Sequence, residues 1–386
     1  MPIPFPSALI RYERLRRNWS QEGLCNGVCA VSYLSKIEQG KAEPNPAILR
    51  SLMERLEIVW HEEEAHEAGE TLEELWEAIQ SLDGETEVRL RQKLSEKRNL
   101  YLNGPHMLDV LLLERLRWNG AEPSEVSLQE MEECFSKRQR AWYLMLRDRY
   151  EEALALMPNA LVCLGCGQKA YTEGNHTLAV ERLMQCCTMA AEEGRARILL
   201  LARMLLGNCY SDQGDNAAMH RHYQSAKRLA LDLRDQDILA TIGYNTAATD
   251  MQLGRYEEAL RYFASLEKPG VMALHKQAIC QEKLGMRDAA LQTLERAEEA
   301  LENPAQRGDY PPKEWMETMC ALVRYRLEHP EYLRDEAYGN ILVSAYTEMK
   351  KQLPNGYVLF HQPWMEEWYV ANRQYKQAYE LKKILS

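Results

Sequence analysis

The sequence predicts an all-α protein in which a small N-terminal helical domain precedes a superhelical array of paired helices. Apolar residues recur at three- and four-residue spacing, as at Leu72, Leu75, Trp76, Ile79 and Leu82, which is the period of a helix with one buried face. Alternating runs of β-branched residues, the usual sign of strands, are nearly absent. We therefore expect helices throughout and no sheet.

The chain has 386 residues, a net charge of −11 and 46% hydrophobic residues, which favours a soluble globular protein of two or three domains. No stretch approaches the length of an apolar membrane-spanning helix, and the N-terminus lacks the order of a signal peptide. We therefore expect a cytoplasmic protein without a membrane partner. In the cytoplasm its ten cysteines are expected to stay reduced.

The charge is unevenly distributed along the chain. Residues 1–60 carry eight Lys/Arg and six Asp/Glu, whereas the remainder is strongly acidic. A protein that is acidic overall, with a basic N-terminal segment, does not resemble a protein that binds nucleic acid non-specifically along its length. It is compatible with one basic module placed on a phosphate backbone.

The first 60 residues predict short helices joined by tight turns. Ser20 is placed to cap a short helix, and Gly27 suits the turn that follows it. A second helix is expected at about 30–39, closed by Gly40. A third begins near Ala47 and braces the other two. This arrangement is typical of a helix-turn-helix.

The segments "SQEGL" (20–24) and "SYLSKIEQGK" (32–41) resemble the phage-repressor-like (Xre) class, and the match extends over residues 11–58. In that class the second of the two helices enters the major groove of double-stranded DNA. The residues that the resemblance places on DNA are Gln21, Val31, Ser32, Tyr33, Lys36 and Lys41.

The resemblance gives these residues different roles. Val31, Ser32 and Lys36 would face base edges, where a lysine donates to guanine and a valine touches a thymine methyl group. Gln21, at a helix N-terminus, would fix a phosphate. Tyr33 and Lys41 are further phosphate candidates, and solvated surface residues are the alternative for both.

The resemblance also pairs Arg14 of the first helix with Glu38 in an internal salt bridge, which is structural. The predicted reading surface contains no Arg, Asn or Gln. Such a surface makes few base contacts, so specificity would depend on dimeric half-site spacing and on DNA shape.

A repeat begins near residue 135. Its glycines fall at 174, 214, 254 and 285, so the gaps are 40, 40 and 31. Each glycine ends one helix and precedes a second. Small residues in the repeat would let paired helices approach closely. These residues are Gly207, Ala218, Ala247, Ala259, Ala278 and Ala289.

The segment "LGNCYSDQGD" (206–215) carries a resemblance to the tetratricopeptide repeat, which extends over about 135–386. An unrelated helical bundle is the alternative. We expect a helix-turn-helix domain at 1–62, a linker with atypical first helical repeats at 63–134, and the repeat domain at 135–386. Because gaps of 40 exceed the family's usual repeat length, some helices should be longer than standard.

A repressor-like head joined to such repeats resembles the peptide-responsive RRNPP regulators of Gram-positive bacteria, a group that includes the Rgg, NprR, PlcR and PrgX kinds. The segment "GVCAVSYLSKIEQG" (27–40) strengthens the likeness. The resemblance implies a homodimer on an operator that is palindromic. It also implies a short signalling peptide in the concave groove of the repeats, which controls activity on DNA.

The groove would be lined by the first helix of each repeat, counted back from the turn glycines. Asn208 is the strongest candidate, because an asparagine amide can pair with both the N–H and the C=O of an extended peptide. The alternative for Asn208 is a residue that satisfies a neighbouring loop. The full candidate set is Gln168, Tyr171, Met204, Asn208, Ser211, Tyr244, Asn245, Ala248, Met251, Gln252, His275, Ile279 and Glu282.

The cysteines do not predict a metal site or a cofactor. Cys25 and Cys29 are separated by a turn, and two thiols do not complete a structural zinc site. The pairs at 163/166 and 186/187 are explained by packing between helices. No phosphate loop, HExxH motif or nucleophile triad occurs in the sequence, so we expect no enzyme.

Two other functions stay open at this point. One is a DNA-binding regulator that responds to a protein or a small molecule. The other is a protein-interaction scaffold of the Rap kind, whose head has lost DNA binding.

Overall fold

The computed structural model describes residues 3–61, 63, 65–116, 127–307, 311–353 and 355–383. Within these ranges the regular structure is helical and contains no strand, which confirms the predicted fold class. The helices described are also too short or too polar to cross a membrane. Contacts divide the chain into two compact units, 1–209 and 210–386. The three-part division at residues 62 and 134 stays a prediction.

In the first unit, short helices form the N-terminal domain and longer ones follow. Their bounds are α1 Phe5–Arg16, α2 Gln21–Cys25, α3 Val31–Glu38, α4 Pro46–Arg55, α5 Ala65–Ser81, α6 Gly84–Glu96, α7 Arg98–Leu102, α8 Met107–Arg115, α9 Lys137–Leu146, α10 Tyr150–Leu156, α11 Ala160–Thr172, α12 His176–Glu192 and α13 Ala196–Asp212, whose last residues belong to the second unit.

The second unit continues the pairing of antiparallel helices. Its helices are α14 Asn216–Asp232, α15 Gln236–Gln252, α16 Tyr256–Ala264, α17 Val271–Lys283, α18 Arg287–Leu301, α19 Pro304–Arg307, α20 Lys313–Glu328, α21 Glu336–Gln352, α22 Asn355–Ala371 and α23 Tyr375–Lys383.

The N-terminal domain packs around one apolar core. Ser20 caps α2, because its Oγ accepts the Gly23 N–H at 2.9 Å. Gly27 takes a left-handed φ of 73° in the turn before α3. Cys25 is buried in the core and Cys29 packs partly against it. The core residues are Ile10, Leu24, Cys25, Leu34, Leu52, Met53 and Leu56.

A buried ion pair joins α1 to α3. Arg14 donates through Nε and Nη2 to the two carboxylate oxygens of Glu38, at 2.6 and 2.8 Å. Arg14 also donates to the carbonyl of Trp19 at 2.8 Å, and the Gln21 amide donates to Glu38 at 2.8 Å. The Glu38 side chain is only 3% exposed. The end of α3 is therefore held by α1 and by the start of α2.

Four consecutive helices, α12 to α15, each span 17 residues and are joined by turns of three residues. One residue of each turn has a left-handed φ: Gly194 (70°), Gly214 (74°) and Arg234 (56°). Gly174 and Gly254 continue the same 20-residue period at either end. The sequence gap of 40 is therefore two equal helix-and-turn modules, and the helices are long, as predicted.

The small residues expected between paired helices are buried, with one exception. Ala289 is partly exposed, and its neighbour Ala290 is fully buried against the core instead. Because adjacent helical positions differ by about 100° in direction, the prediction was off by one residue at this turn. The buried members are Gly207, Ala218, Ala247, Ala259 and Ala278.

Replacing Glu38 with alanine should destabilise the N-terminal domain. The substitution leaves the Arg14 guanidinium buried without its carboxylate, and removal of one partner from a buried pair costs about 3–5 kcal/mol. Hydrogen exchange of the backbone amides at 21–38 should accelerate accordingly. Glu54→Ala, which removes an exposed carboxylate of the same domain, should change stability by less than about 0.5 kcal/mol. Equal exchange in both variants would contradict the proposed role of the pair.

Gly174→Ala should destabilise the α11–α12 turn by about 1–2 kcal/mol, because an L-residue is strained at its φ of 77°. A Cβ at Gly174 would meet no atom within 4 Å, so the cost is conformational. Gly84→Ala is the matched control, since its Cβ also has open space and its φ lies outside the left-handed region. Hydrogen exchange in the flanking helices measures both effects. Equal loss in the two variants would reject a φ-based cause.

Candidate functional site

The outward side of α3 presents the residues predicted to read DNA. Val31 is 43% exposed, and Ser32 and Lys36 are also exposed. Leu34 and Ile37, on the opposite side, are fully buried. The three predicted base-facing residues therefore lie together on the exposed side of α3.

The predicted phosphate contacts are partly engaged inside the domain. The Gln21 side chain donates to Glu38, so one of its two amide N–H donors is engaged inside the domain. The Tyr33 hydroxyl donates to the carbonyl of Glu43 at 3.0 Å. This bond fixes the Tyr33 ring beside the loop after α3.

Gln39 is a surface residue that the sequence analysis did not select. Its side-chain amide donates to the Ser35 hydroxyl at 3.1 Å, and its carbonyl accepts from Lys41 at 2.7 Å. Ser35, Gln39 and Lys41 thus form a polar chain along the end of α3. Gln39 lies just after α3, although the sequence predicted a helix that includes it, and its exposed amide is a further candidate for DNA contact.

The second unit contains an open cavity of about 510 Å³. Its apolar floor is formed by Met251, Ile279, Phe360 and Trp364. Its rim is polar and carries charges of both signs. The lining residues are Ser211, Asp212, Gln213, Gly214, Met251, Gln252, Tyr256, Ile279, Lys283, Phe360, Pro363, Trp364 and Glu367. Apolar side chains that can bury part of a ligand and polar groups that can orient it are both present, as in a ligand site.

Four predicted groove residues of this unit line the cavity: Ser211, Met251, Gln252 and Ile279. Gln252 is exposed at the end of α15. Its amide is therefore in position to pair with the backbone of an extended ligand. The Ser211 hydroxyl lies 3.2 Å from that of Thr249, and either group is able to donate.

His275 and Glu282 do not line this cavity. His275 is fully buried, so it faces the interior of the unit instead of the predicted groove. Glu282 accepts two hydrogen bonds from Arg326, at 2.8 and 2.5 Å, and this ion pair occupies the carboxylate. Both positions were predicted by counting back from a turn glycine. Such a count gives the direction of a side chain but does not show which helices pack against α17.

The other predicted groove residues of this unit are half-buried. Burial raises the pKa of Tyr244, whose ring packs edge-on against Phe263. The Asn245 carbonyl accepts from the Thr249 hydroxyl at 3.0 Å, and the Asn245 residue is engaged within the protein. Ala248 shares the α15 helix with them.

The remaining predicted groove residues lie in the first unit. Gln168 is exposed beside a hollow between α10 and α11. Tyr171 packs edge-on against His176. Met204 and Asn208 are half-buried on α13, and Asn208 is already engaged within the protein. Their role in peptide binding stays a prediction.

One wall of the cavity was missed by the sequence analysis. It consists of α22, which contributes Phe360, Pro363, Trp364 and Glu367. The sequence analysis selected none of these four residues. Aromatic residues four apart on one helical face, at 360 and 364, were the available signal, but the same spacing also describes a buried core helix.

The family comparison identifies a helix-turn-helix domain at residues 10–59. The transcriptional activator NprA of Geobacillus stearothermophilus is 23% identical over 286 residues, which covers 62% of this chain and 66% of NprA. This chain therefore spans just under two thirds of the length of that curated relative.

Two solved structures share the fold over 83% of this chain. A Rap protein in complex with competence and sporulation factor has a TM-score of 0.60 and 16% identity, and 97% of it is covered. The apo form of the quorum sensor NprR from B. thuringiensis has a TM-score of 0.55 and 14% identity, and 98% of it is covered. The helix-turn-helix match and the shared fold of these two structures agree with the helix-turn-helix domain and the helical repeats that the sequence predicted.

Proposed function

We propose that this protein is a cytoplasmic, sequence-specific DNA-binding transcription regulator whose activity is controlled by a short signalling peptide. It acts as a homodimer on a palindromic operator. The observation that carries the proposal is the presence of two separate sites in one chain. One is an exposed reading helix, and the other is a ligand cavity in the second compact unit.

The DNA-binding half of the proposal is supported by the N-terminal domain. Its core, its capped turn and the Arg14–Glu38 pair hold α3 with one side buried and the other exposed. The relative NprA is named a transcriptional activator. The expectation that the chain is not an enzyme agrees with that name.

The peptide-binding half is supported by the cavity and by the relatives of the same fold. The Rap structure contains competence and sporulation factor, and NprR is named a quorum sensor. A floor of Met251, Ile279, Phe360 and Trp364 can take apolar side chains of a peptide, while Gln252 at the rim can pair with its backbone.

Lys36→Ala should weaken binding to the preferred operator by about 1–3 kcal/mol, because one base contact of the reading helix is lost. The operator is first obtained by selecting random duplex DNA on the full-length protein. Affinity is then measured by mobility shift at several salt concentrations. Lys41→Ala is the comparison, since loss of a phosphate contact should weaken binding to all sequences alike and lower the salt slope by about one.

The selection step tests the proposal as a whole. Failure to enrich any sequence, with or without peptide, would reject DNA reading and favour the Rap-like scaffold instead. Enrichment of a single half-site without a palindrome would reject the dimeric arrangement.

Gln252→Ala should weaken peptide binding by about 0.5–1.5 kcal/mol, the net worth of one hydrogen bond, while DNA binding by the peptide-free protein stays unchanged. The peptides are synthetic copies of the C-terminal residues encoded by small open reading frames beside the gene. Gln236→Ala is the matched control, because Gln236 is exposed on the same helix and lies outside the cavity lining. Equal affinity in all three proteins would show that the peptide binds elsewhere.

A further inference from the structure

The second unit buries a group of basic side chains next to the cavity. Lys276 is 7% exposed, His275 is fully buried and His361 is 1% exposed. Burial lowers the pKa of Lys276 to about 7 and that of His361 to about 3. Burial also lowers the pKa of His275 well below its usual value. The two imidazoles are therefore neutral at physiological pH.

Lys276 lies on the face of α17 that borders the cavity. Residues three and seven positions later on a helix share a face, and these positions are Ile279 and Lys283, both of which line the cavity. The Lys276 ammonium group lies 3.5 Å from the centre of the Phe360 ring. Phe360 is itself part of the lining. One aromatic ring thus separates this amine from the open space.

Lys276 has no anionic partner among the described residues. Its ammonium group makes no hydrogen bond or ion pair with them, only contacts with the Phe360 and Tyr244 rings. Nε2 of the buried His361 has no hydrogen-bond partner there either. Arg326, the other buried cation of this region, differs because Glu282 neutralises it.

Buried charges are normally paired, because an unpaired one loses its hydration without compensation. Contact with the Phe360 ring recovers only part of that loss. A buried amine without an anionic partner, beside a buried imidazole nitrogen without a hydrogen bond, therefore indicates a place where a polar group from outside is bound. The groups present are an amine and neutral imidazoles, so the missing group is an acceptor with negative charge.

We propose that Lys276 binds a carboxylate of the ligand that enters the cavity, and that this carboxylate displaces the Phe360 ring from the ammonium group. A carboxylate fits this site because its negative charge pairs with an ammonium group and because every peptide carries one at its C-terminus. The inference rests on the proposed function, since it specifies the chemistry of a ligand in the same cavity.

Three pools of synthetic hexapeptides test the proposal. All are randomised over Ala, Leu, Phe, Ser, Asn and Gly. The first has a free C-terminal carboxylate, the second is amidated, and the third is amidated and contains one Asp. Each pool is passed over immobilised full-length protein, and the retained peptides are quantified by mass spectrometry. The best binders are then resynthesised in acid and amide forms for calorimetry.

We expect the protein to retain roughly ten- to a hundredfold more peptide from the first pool than from the second. This ratio corresponds to the free energy of a hydrogen bond to a charged group. Retention of the third pool at the level of the first would assign the site to an Asp side chain instead of the C-terminus. Lys276→Met should abolish the preference for acid over amide. Lys227→Met, which removes an exposed lysine of α14 outside the cavity lining, should preserve it.

Equal retention of acid and amide peptides by the wild-type protein would overturn this inference and leave the proposed function intact. Retention of no pool at all would overturn both. If Lys276→Met bound neither acid nor amide peptides, Lys276 would be a packing residue of the cavity wall and the proposed carboxylate contact would be rejected. Folding of that variant is checked by its melting temperature, which should rise because an unpaired buried charge is removed.

A pH measurement gives an independent readout. The groups that face Lys276 are Tyr244, His275, Cys280 and His361, none of which is a carboxylate. The free amine is largely neutral at pH 8, and a bound carboxylate raises its pKa, so binding takes up about one proton there. Affinity for the acid peptide should fall as pH rises above 7 and stay level below it. Absence of proton uptake, measured calorimetrically in two buffers, would overturn the proposal.

Discussion

The left-handed residue in each of the turns after α11 to α15 is the constraint on which the repeat architecture depends. A 17-residue helix followed by three linking residues returns the chain antiparallel after every 20 positions. Within the second unit, α15 packs against α16, and small residues such as Ala247 and Ala259 are buried there. Arg234 adopts the same left-handed φ, so the turn requires this backbone conformation and not glycine itself. The backbone strain of a non-glycine residue there is offset by the packing of the helices on both sides.

The sequence was informative where local chemistry determines structure. Ser20, Gly27 and Gly40 act through their own backbones and a neighbour or two, so the turns around α2 and α3 were predictable. The Arg14–Glu38 pair came from a resemblance and is present in the structure. The turn at Arg234 was missed because its side chain carries no sign of a left-handed φ.

The cavity was harder to predict because it is formed by residues far apart in the chain. Met251 and Ile279 could be counted from their turn glycines, but Phe360 and Trp364 come from α22, about a hundred residues later. His275 was misplaced for the same reason. A helical period gives the direction of a side chain, but it does not say whether another helix covers that side. In α17 the side that carries His275 is covered by aromatic residues.

The anchoring of α3 has a consequence for how this protein can change over evolutionary time. Its stability resides in Leu34, Ile37 and Glu38, which are buried, whereas Val31 and Lys36 touch little of their own domain. Substitutions at the exposed positions therefore leave the folding energy almost unchanged. Under the proposed function, operator preference is then free to drift by single exchanges there, and duplicated copies of the gene can acquire separate targets without first acquiring compensating mutations in the core.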